Sequence, residues 1–405
     1  MLQAVPETPE RNRHELSLQV ALGLALTATK GYAAPEVGRA YARARELCQQ
    51  LMEAPELFLV LPGLFTFYVV REELPTAREL AEQCLTLAQR VQEPAFLIDA
   101  HQAVGVTAFH RGDLVTAREH LEQSLALYDS RWHSSSGFAH DPGVSGRYYE
   151  AYGLWLLGYP DQALRSIRQA LTLAQELSHP FSLAGAVHFA AMLHHLYREE
   201  QATRERAEEL IALSREQGFA QWLALGGIMR GWTLAAQGQG EAGIAQIRQG
   251  LIAYAAVGAK LGRPHVLAVL AEAYGKAGRP AEGLSVVAEA LAVVHDTGDC
   301  FFEVELYRLK GTLTLQSQVQ GPKSKVEEET EAYFHKAIEI ARRQSAKSLE
   351  LRTVMSLSRL WQSQGKKAEA RQVLAEIYSW FTEGFDTADL KEAKDLLSEL
   401  SQEVH

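Results

Sequence analysis

The sequence predicts an all-α protein, a right-handed solenoid of about nine helical hairpins finished by a C-terminal capping helix. Three observations predict it. A short motif returns at a nearly constant interval, small residues stand where the two helices of each hairpin must cross, and turn-forming residues separate the helices at matching points.

The motif is visible in ARELAEQCLTLAQ from Ala77, AREHLEQSLALYD from Ala117, ALRSIRQALTLAQ from Ala163 and GIAQIRQGLIAYA from Gly243. Each string has a small residue, an apolar one four positions on, a small one at +7 and usually Leu at +8, which is one face of a helix. With the first small position as anchor, the copies start at Val37, Ala77, Ala117, Ala163, Thr203, Gly243, Gly283, Thr330 and Ala370. Six of the eight successive intervals are 40 residues, and the other two are 46 and 47. The extra residues fall in SRWHSSSGFAHDPG (130–143) and SQVQGPKSKVEEE (317–329), both loop-like in composition. A unit that recurs in this way hides its apolar stripe by stacking on copies of itself.

The preceding helix of each unit supplies the second observation. Twelve residues before the anchors, allowing for the insert at 317–329, stand Ala25, Phe65, Gly105, Ala151, Ala191, Gly231, Ala271, Gly311 and Ser358. All but Phe65 are small, as two closely crossing helices require. Turns follow at HRGDL (110–114), LGYPD (157–161), QGQGE (237–241), KAGRP (276–280) and SQGKK (363–367), where glycine caps one helix and proline or aspartate opens the next. Proline in EPAF, SHPF and GRPH marks the start of later units. The expected units are 10–53, 55–92, 94–129, 142–178, 180–217, 219–257, 262–297, 301–344 and 347–382, with a cap at 386–403, in one superhelix in which each hairpin touches only its neighbours. Leu16, Leu18, Val20, Leu22, Leu24 and Leu26 look like surface prepared for an upstream neighbour, which suggests a fragment of something larger.

Composition narrows the function. Of 405 residues 47% are hydrophobic, enough for a continuous core. A net charge of −10 argues against a phosphate backbone as partner, so no nucleic acid is expected. Cys48, Cys84 and Cys300 are too few and scattered for a disulfide framework or a zinc site. The richest apolar run, PELFLVLPGLFTFYVV, is too short for a membrane span and is interrupted by Pro62. MLQAVPETPERNRHE has no signal-peptide pattern, so a soluble cytoplasmic protein is the expectation.

The small–apolar–small–Leu pattern, complete in Ala163, Ile167, Ala170, Leu171 and in Ala117, Leu121, Ser124, Leu125, is similar to the tetratricopeptide repeat, although the period of 40 exceeds the usual 34. Longer strings, among them WLLGYPDQAL, LTLAQELSHPFSLA, LAEAYGKAGRPAEGL and ARRQSAKSLELRTVMSLSRLWQSQGKKAEAR, resemble the C-terminal repeats of bacterial signal-transduction ATPases linked to class III nucleotide cyclase domains. The resemblance implies a sensor or protein-interaction arm that controls an attached ATPase or cyclase. The catalytic modules of that family are absent from the sequence, and there is no G-x-x-x-x-G-K-[ST] phosphate loop. No enzyme activity and no cofactor are expected.

Other chemistry is weakly signalled. PGVSGR (142–147) is not a nucleophile elbow. His188, His194 and His195 lack a carboxylate at ligand spacing, so they read as ordinary groove histidines and not as a metal site. His133 and His140 read as solvated loop residues, and acidic pairs such as Glu72–Glu73 and Glu199–Glu200 as solvated helix faces.

The concave groove is the expected site. In tetratricopeptide-like stacks the first helix of each hairpin lines it, and the register above selects an inner stripe. That stripe holds Asp99, Gln102, Val106, Phe109 and His110, then Tyr148, Tyr152 and Trp155, then His188, Met192 and His195, then Trp232, His265, Glu272, Arg308 and Arg359. So many aromatic rings on one face suggest that some stand exposed as binding hot spots for an extended peptide or a partner's helix. The 130–143 insert is placed to cover one end. A ligand spanning several hairpins would favour one curvature of the superhelix and pass that preference on. A free-standing adaptor, or a receptor for a signalling peptide or small molecule, remains as an alternative.

Overall fold

The computed structural model describes residues 8–51, 57–129, 139–317 and 323–402. Among them are nineteen α-helices and no strand, and they run as nine antiparallel pairs and a last single helix. The pairs are α1 (Pro9–Lys30) with α2 (Pro35–Leu51), α3 (Leu57–Val70) with α4 (Leu74–Val91), and α5 (Pro94–His110) with α6 (Leu114–Leu127). Next come α7 (Pro142–Leu157) with α8 (Pro160–Glu176), α9 (Pro180–Leu196) with α10 (Glu200–Gln217), and α11 (Ala220–Ala236) with α12 (Gly240–Ala256). The last three are α13 (Arg263–Lys276) with α14 (Pro280–Thr297), α15 (Glu303–Gln316) with α16 (Lys323–Gln344), and α17 (Lys347–Ser363) with α18 (Lys367–Tyr378). α19 (Ala388–Ser401) ends the stack and buries Leu390, Ala393, Leu396 and Leu400.

The crossing register is that of the sequence in eight of nine hairpins. A methyl group on Gly231 would lie 2.8 Å from the Gly243 carbonyl, and the Ser358 hydroxyl donates to the Ala370 carbonyl at 3.2 Å. Each contact joins a close-approach residue to its own anchor twelve positions on. Ala25 is the exception. It is exposed, and Leu16, Gly23 and Thr27 are the buried residues of α1, with Gly23 seated on the Tyr41 ring. The stripe of α1 is therefore set by Tyr41 of α2 and not by the twelve-residue offset.

Glycines 112, 158, 238, 278 and 365 take positive φ in the turns, as the sequence indicated, but Glu72 and Arg198 adopt the same left-handed backbone without being glycine. Both do so where a second constraint acts. The turn inside each early hairpin is pressed against a loop five hairpins further along the chain. The Val70 carbonyl accepts from Lys260 and Leu261 N–H at 2.8 and 3.1 Å, and the His110 carbonyl accepts from Cys300 N–H at 2.9 Å. Ser348 Oγ donates to the Trp155 carbonyl at 2.5 Å, and Gln162 N–H donates to Glu383 at 3.0 Å. Arg352 donates to the Leu196 carbonyl and pairs with Asp389 at 2.7 Å. The turns of hairpins two, three and four meet the junction after hairpin n+4 at Lys260, Cys300 and Ser348, while Glu383 follows hairpin nine and Arg352 reaches the fifth turn from within α17.

The solenoid thus completes one superhelical turn in five hairpins and closes on itself along a continuous seam. Contacts are not confined to sequence neighbours. This happens because each hairpin is rotated by about a fifth of a turn from the one before it, and because the seam residues are polar enough to satisfy one another's backbone groups.

The two inserts have different fates. Residues 130–138 and 318–322, with His133, lie outside the described residues. The stretch 323–329 is not loop, since α16 begins at Lys323. His140 is not a solvated residue either. It is half-buried, its Nδ1 lies 2.9 Å from the Tyr32 hydroxyl, and desolvation together with the field of His179 lowers its pKa to about 3. The apolar run 57–70 forms α3, and no helix among the described residues is long and apolar enough to cross a membrane. At the N-terminal end Leu18 and Leu22 remain 57% and 48% exposed, whereas Leu16 is buried.

Candidate functional site

Closure of the seam turns the concave face into an interior, and the predicted inner stripe changes character. All thirteen of its members from Asp99 to His265 are buried, so the expectation of exposed aromatic hot spots fails. The rings that would have faced a partner face each other across the superhelical axis. Only Glu272, Arg308 and Arg359 keep appreciable exposure.

The stripe divides between two chambers. The first, about 110 Å³, is walled by α3, α5, α7, α9, α11 and α13 and gathers Gln102, Val106, Phe109, His110, Tyr148, Tyr152, His188, Met192 and His265. Phe109 packs on Phe301 with centroids 4.8 Å apart, and Tyr148 stacks on Phe189 at 4.2 Å. Among the described residues no Asp, Glu, Lys or Arg lines this space. Desolvation pushes the His188 pKa down to about 3, and desolvation with the fields of His195 and His188 holds His265 well below its ordinary value. Both rings are neutral at physiological pH.

The second chamber, about 370 Å³, occupies the C-terminal half of the inner face and gathers His195, Trp232, Glu272, Arg308 and Arg359. They are joined by cations Arg198, Lys276 and Arg352 and by carboxylates Glu200, Glu305, Asp389 and Glu392. His195 Nε2 lies 3.2 Å from Glu272, whose carboxyl is desolvated yet falls to about pKa 2 because His195 and Lys276 favour its charged form. Arg308 grips Glu305 through two hydrogen bonds of 2.5 and 2.8 Å. Glu392 bridges Arg198 and Arg359, which lower its pKa against the desolvation that would raise it. The chamber is a lattice of paired charges with one open side, where Arg198 and Arg359 are each about half exposed, at 51%.

Two predicted residues line neither chamber. Trp155 lies in the seam with the Arg352 guanidinium 4.8 Å over its ring, and Asp99 is buried close enough to Cys84 to help burial raise that thiol to about 12. The three neighbouring histidines also separate. His188 lines the aromatic chamber, His195 pairs with Glu272, and His194 pairs with Glu199 at 2.5 Å.

Sequence reasoning missed the residues contributed across the seam: Tyr32, Trp222, Tyr254 and Phe301 for the first chamber, and Arg198, Asp389 and Glu392 for the second. A signal existed in GDCFF (298–302), where two adjacent phenylalanines between helices are more apolar than a free loop needs. Glu72 is a further correction. Only 6% exposed, it sits beside Asp299, and desolvation and that second carboxyl raise its pKa to about 9. Asp299 accepts in turn from Gly262 N–H at 2.9 Å and lies 3.0 Å from His110 Nδ1.

Comparison with known proteins gives the same architecture. A family model described as tetratricopeptide repeat matches residues 105–123, 144–169 and 264–294. An uncharacterized protein of Rhizobium meliloti (strain 1021) is 24% identical over 351 residues, which is 84% of this chain and 33% of that protein. The chain therefore spans about a third of the length of that relative. The crystal structure of a Rap protein complexed with competence and sporulation factor aligns over 96% of this chain and 99% of its own, at TM-score 0.61 and 9% identity. The apo form of the quorum sensor NprR from B. thuringiensis aligns over 92% of this chain and 99% of its own, at TM-score 0.51 and 11% identity. At such identities the likeness is one of fold. The chain is a tetratricopeptide-like helical-repeat solenoid.

Proposed function

We propose that the chain is a non-catalytic scaffold that binds a protein or peptide, and that it serves as the sensor or regulatory arm of a signalling ATPase or nucleotide cyclase. The observation that carries the binding reading is the charged chamber. The α9–α10 turn, the start of α10, the first helices α13, α15 and α17 and the cap present cations and carboxylates in equal number around one open space, which suits the charged ends and side chains of a short peptide segment.

The link to an ATPase or cyclase rests on the resemblance of the repeat strings and on the greater length of the Rhizobium relative. An occupant contacting α9, α13, α17 and α19 together would favour the closed seam over any more open curvature. A receptor for a signalling peptide or small molecule is the second reading. It is favoured by the enclosure of the inner face and by the fold shared with a Rap protein that holds competence and sporulation factor.

The test is calorimetric titration of the chain with a pool of random hexapeptides having free termini, in the wild type and in Arg359→Glu. The reversed charge faces Glu392 at a half-exposed position, so the fold survives it. Loss of about tenfold or more in affinity is expected, the size of one charged contact. Equal binding by both chains, or none by either, overturns the reading.

A further inference from the structure

The aromatic chamber is separate from the charged one, and nothing in the scaffold function uses it. We propose that it is a binding site for a small uncharged aromatic compound of a single ring that carries both a hydrogen-bond donor and an acceptor, as benzamide does.

Size is the first argument. A dry apolar cavity of about 150 Å³ takes up benzene, and this chamber is about 110 Å³, so one ring is the right scale and a helix or an extended peptide is excluded. The walls are the second. Phe109, Tyr148, Phe189 and Phe301 already pack against one another in tilted and stacked pairs, and a further flat ring extends the same arrangement.

The third argument is decisive. Buried polar atoms normally have hydrogen-bond partners. Around this chamber Tyr152 OH, Trp222 Nε1, Gln102 Oε1, Gln221 Oε1, His188 Nδ1 and His265 Nε2 have none among the described residues. All six side chains are more than nine-tenths buried. The indole N–H is a donor, the two amide oxygens are acceptors, and the tyrosine hydroxyl and imidazoles can serve as either. A ligand with an amide-like group answers both kinds. The absence of any charged lining residue, with the histidines held neutral, excludes a carboxylate or an amine.

The chamber also straddles the seam. Tyr32 and Phe65 come from the first two hairpins, whereas Trp222, His265 and Phe301 come from the second turn of the superhelix. An occupant would tie the two turns together and raise the stability of the closed form by mass action. This second site would let a metabolite-sized compound set the curvature that a peptide in the charged chamber encounters.

The test titrates the whole chain with benzamide, and with toluene, benzoate and glucose as probes lacking, respectively, the polar group, the neutrality and the ring. Benzamide is expected to bind at least about tenfold more tightly than each of the others, and to raise the melting temperature with concentration. Tyr152→Phe removes only an unpartnered hydroxyl, so the ligand-free chain should melt no lower, while benzamide affinity falls about tenfold. Val106→Trp fills the space and should abolish binding; should that variant fail to fold, Tyr152→Phe still decides. No heat with benzamide, equal affinity in Tyr152→Phe, or a preference for toluene, benzoate or glucose overturns the proposal. Benzamide binding should be indifferent to Arg359→Glu, which separates this outcome from that of the peptide titration.

Discussion

Glu72 offers the most quantitative test of the seam. It stands in the turn between α3 and α4, 6% exposed, with the carboxyl of Asp299 as its neighbour from the other turn of the superhelix. Burial and Asp299 raise its pKa from the ordinary 4.5 to about 9, and the nearby cations Arg263 and Lys260 offset only part of that. Folded protein at pH 7 therefore keeps Glu72 protonated, whereas the unfolded chain releases the proton. A carboxyl raised on folding stabilises least at high pH. Its cost is absent below about pH 4.5, grows through neutrality and levels off above about pH 9. At pH 7 the cost is about 3 kcal/mol. Glu72→Gln keeps the shape and the donor that a protonated carboxyl presents to Asp299, and it does not titrate. Urea denaturation followed by circular dichroism should show the variant more stable by about 2–3 kcal/mol at pH 7 and by under about 1 kcal/mol at pH 5. A variant less stable than wild type at pH 7, or a difference that does not change with pH, would refute the reasoning, because either result means that Glu72 is ionised and solvated.

Three other perturbations follow from the same geometry. His188, held near pKa 3 by desolvation, is a group depressed on folding, so its contribution is lost as pH falls from 6.5 towards 3; the cost at pH 5 is about 2 kcal/mol, and acid-denaturation curves of His188→Gln should be shifted to lower pH. Parallel, unshifted curves would show that the imidazole is reached by water. Gly231→Ala places a methyl 2.8 Å from the Gly243 carbonyl and 3.0 Å from Ile247 N, both backbone atoms, so α11 and α12 must part; a loss of about 1–3 kcal/mol in urea melts is expected, against a neutral or stabilising effect if the crossing were loose. Arg352→Ala removes the pair with Asp389, the donation to the Leu196 carbonyl and the packing over Trp155, and should cost about 2–4 kcal/mol and make α19 the first segment released by limited proteolysis. Unchanged proteolysis would mean that the cap is held by its apolar face alone.

Much of this architecture was legible because helix pairing is local. The anchors, the crossing glycines and the positive-φ turn glycines all act within about forty residues of one another, so their spacing in the sequence is their spacing in space. Ala25 fails because α1 takes its register from Tyr41, on whose ring Gly23 is seated. The seam was illegible for a different reason. Whether a solenoid closes depends on the rotation repeated at every hairpin, and no single residue encodes it. Its members, Glu72, Arg198 and Asp299 in turns or loops and His110 at the end of α5, sit where polar residues ordinarily mean solvent. The inner stripe was therefore correctly located on the first helices and wrongly given to the outside. Phe109 and Tyr152 are aromatic because they meet Phe301 across the axis, 192 and 149 residues away in sequence.

Closure of the superhelix at five hairpins can be tested with one covalent measurement. A methyl carbon built on Gly112, in the turn after α5, would lie 3.3 Å from the Sγ of Cys300, which sits before α15. Gly112→Cys strains a left-handed backbone, but the other near atoms belong to the flexible end of Gln344, which can move aside. Mild oxidation near pH 9 is needed, since burial and the carboxylates of Glu303 and Asp299 raise the Cys300 thiol to about 11. The account expects one intramolecular disulfide joining 112 and 300, seen by mass spectrometry of the non-reduced digest, while the buried Cys48 and Cys84 enter no disulfide. In an open solenoid four stacked hairpins would hold the two positions tens of ångströms apart. Recovery of both thiols unmodified, or only of disulfides between molecules, would contradict it.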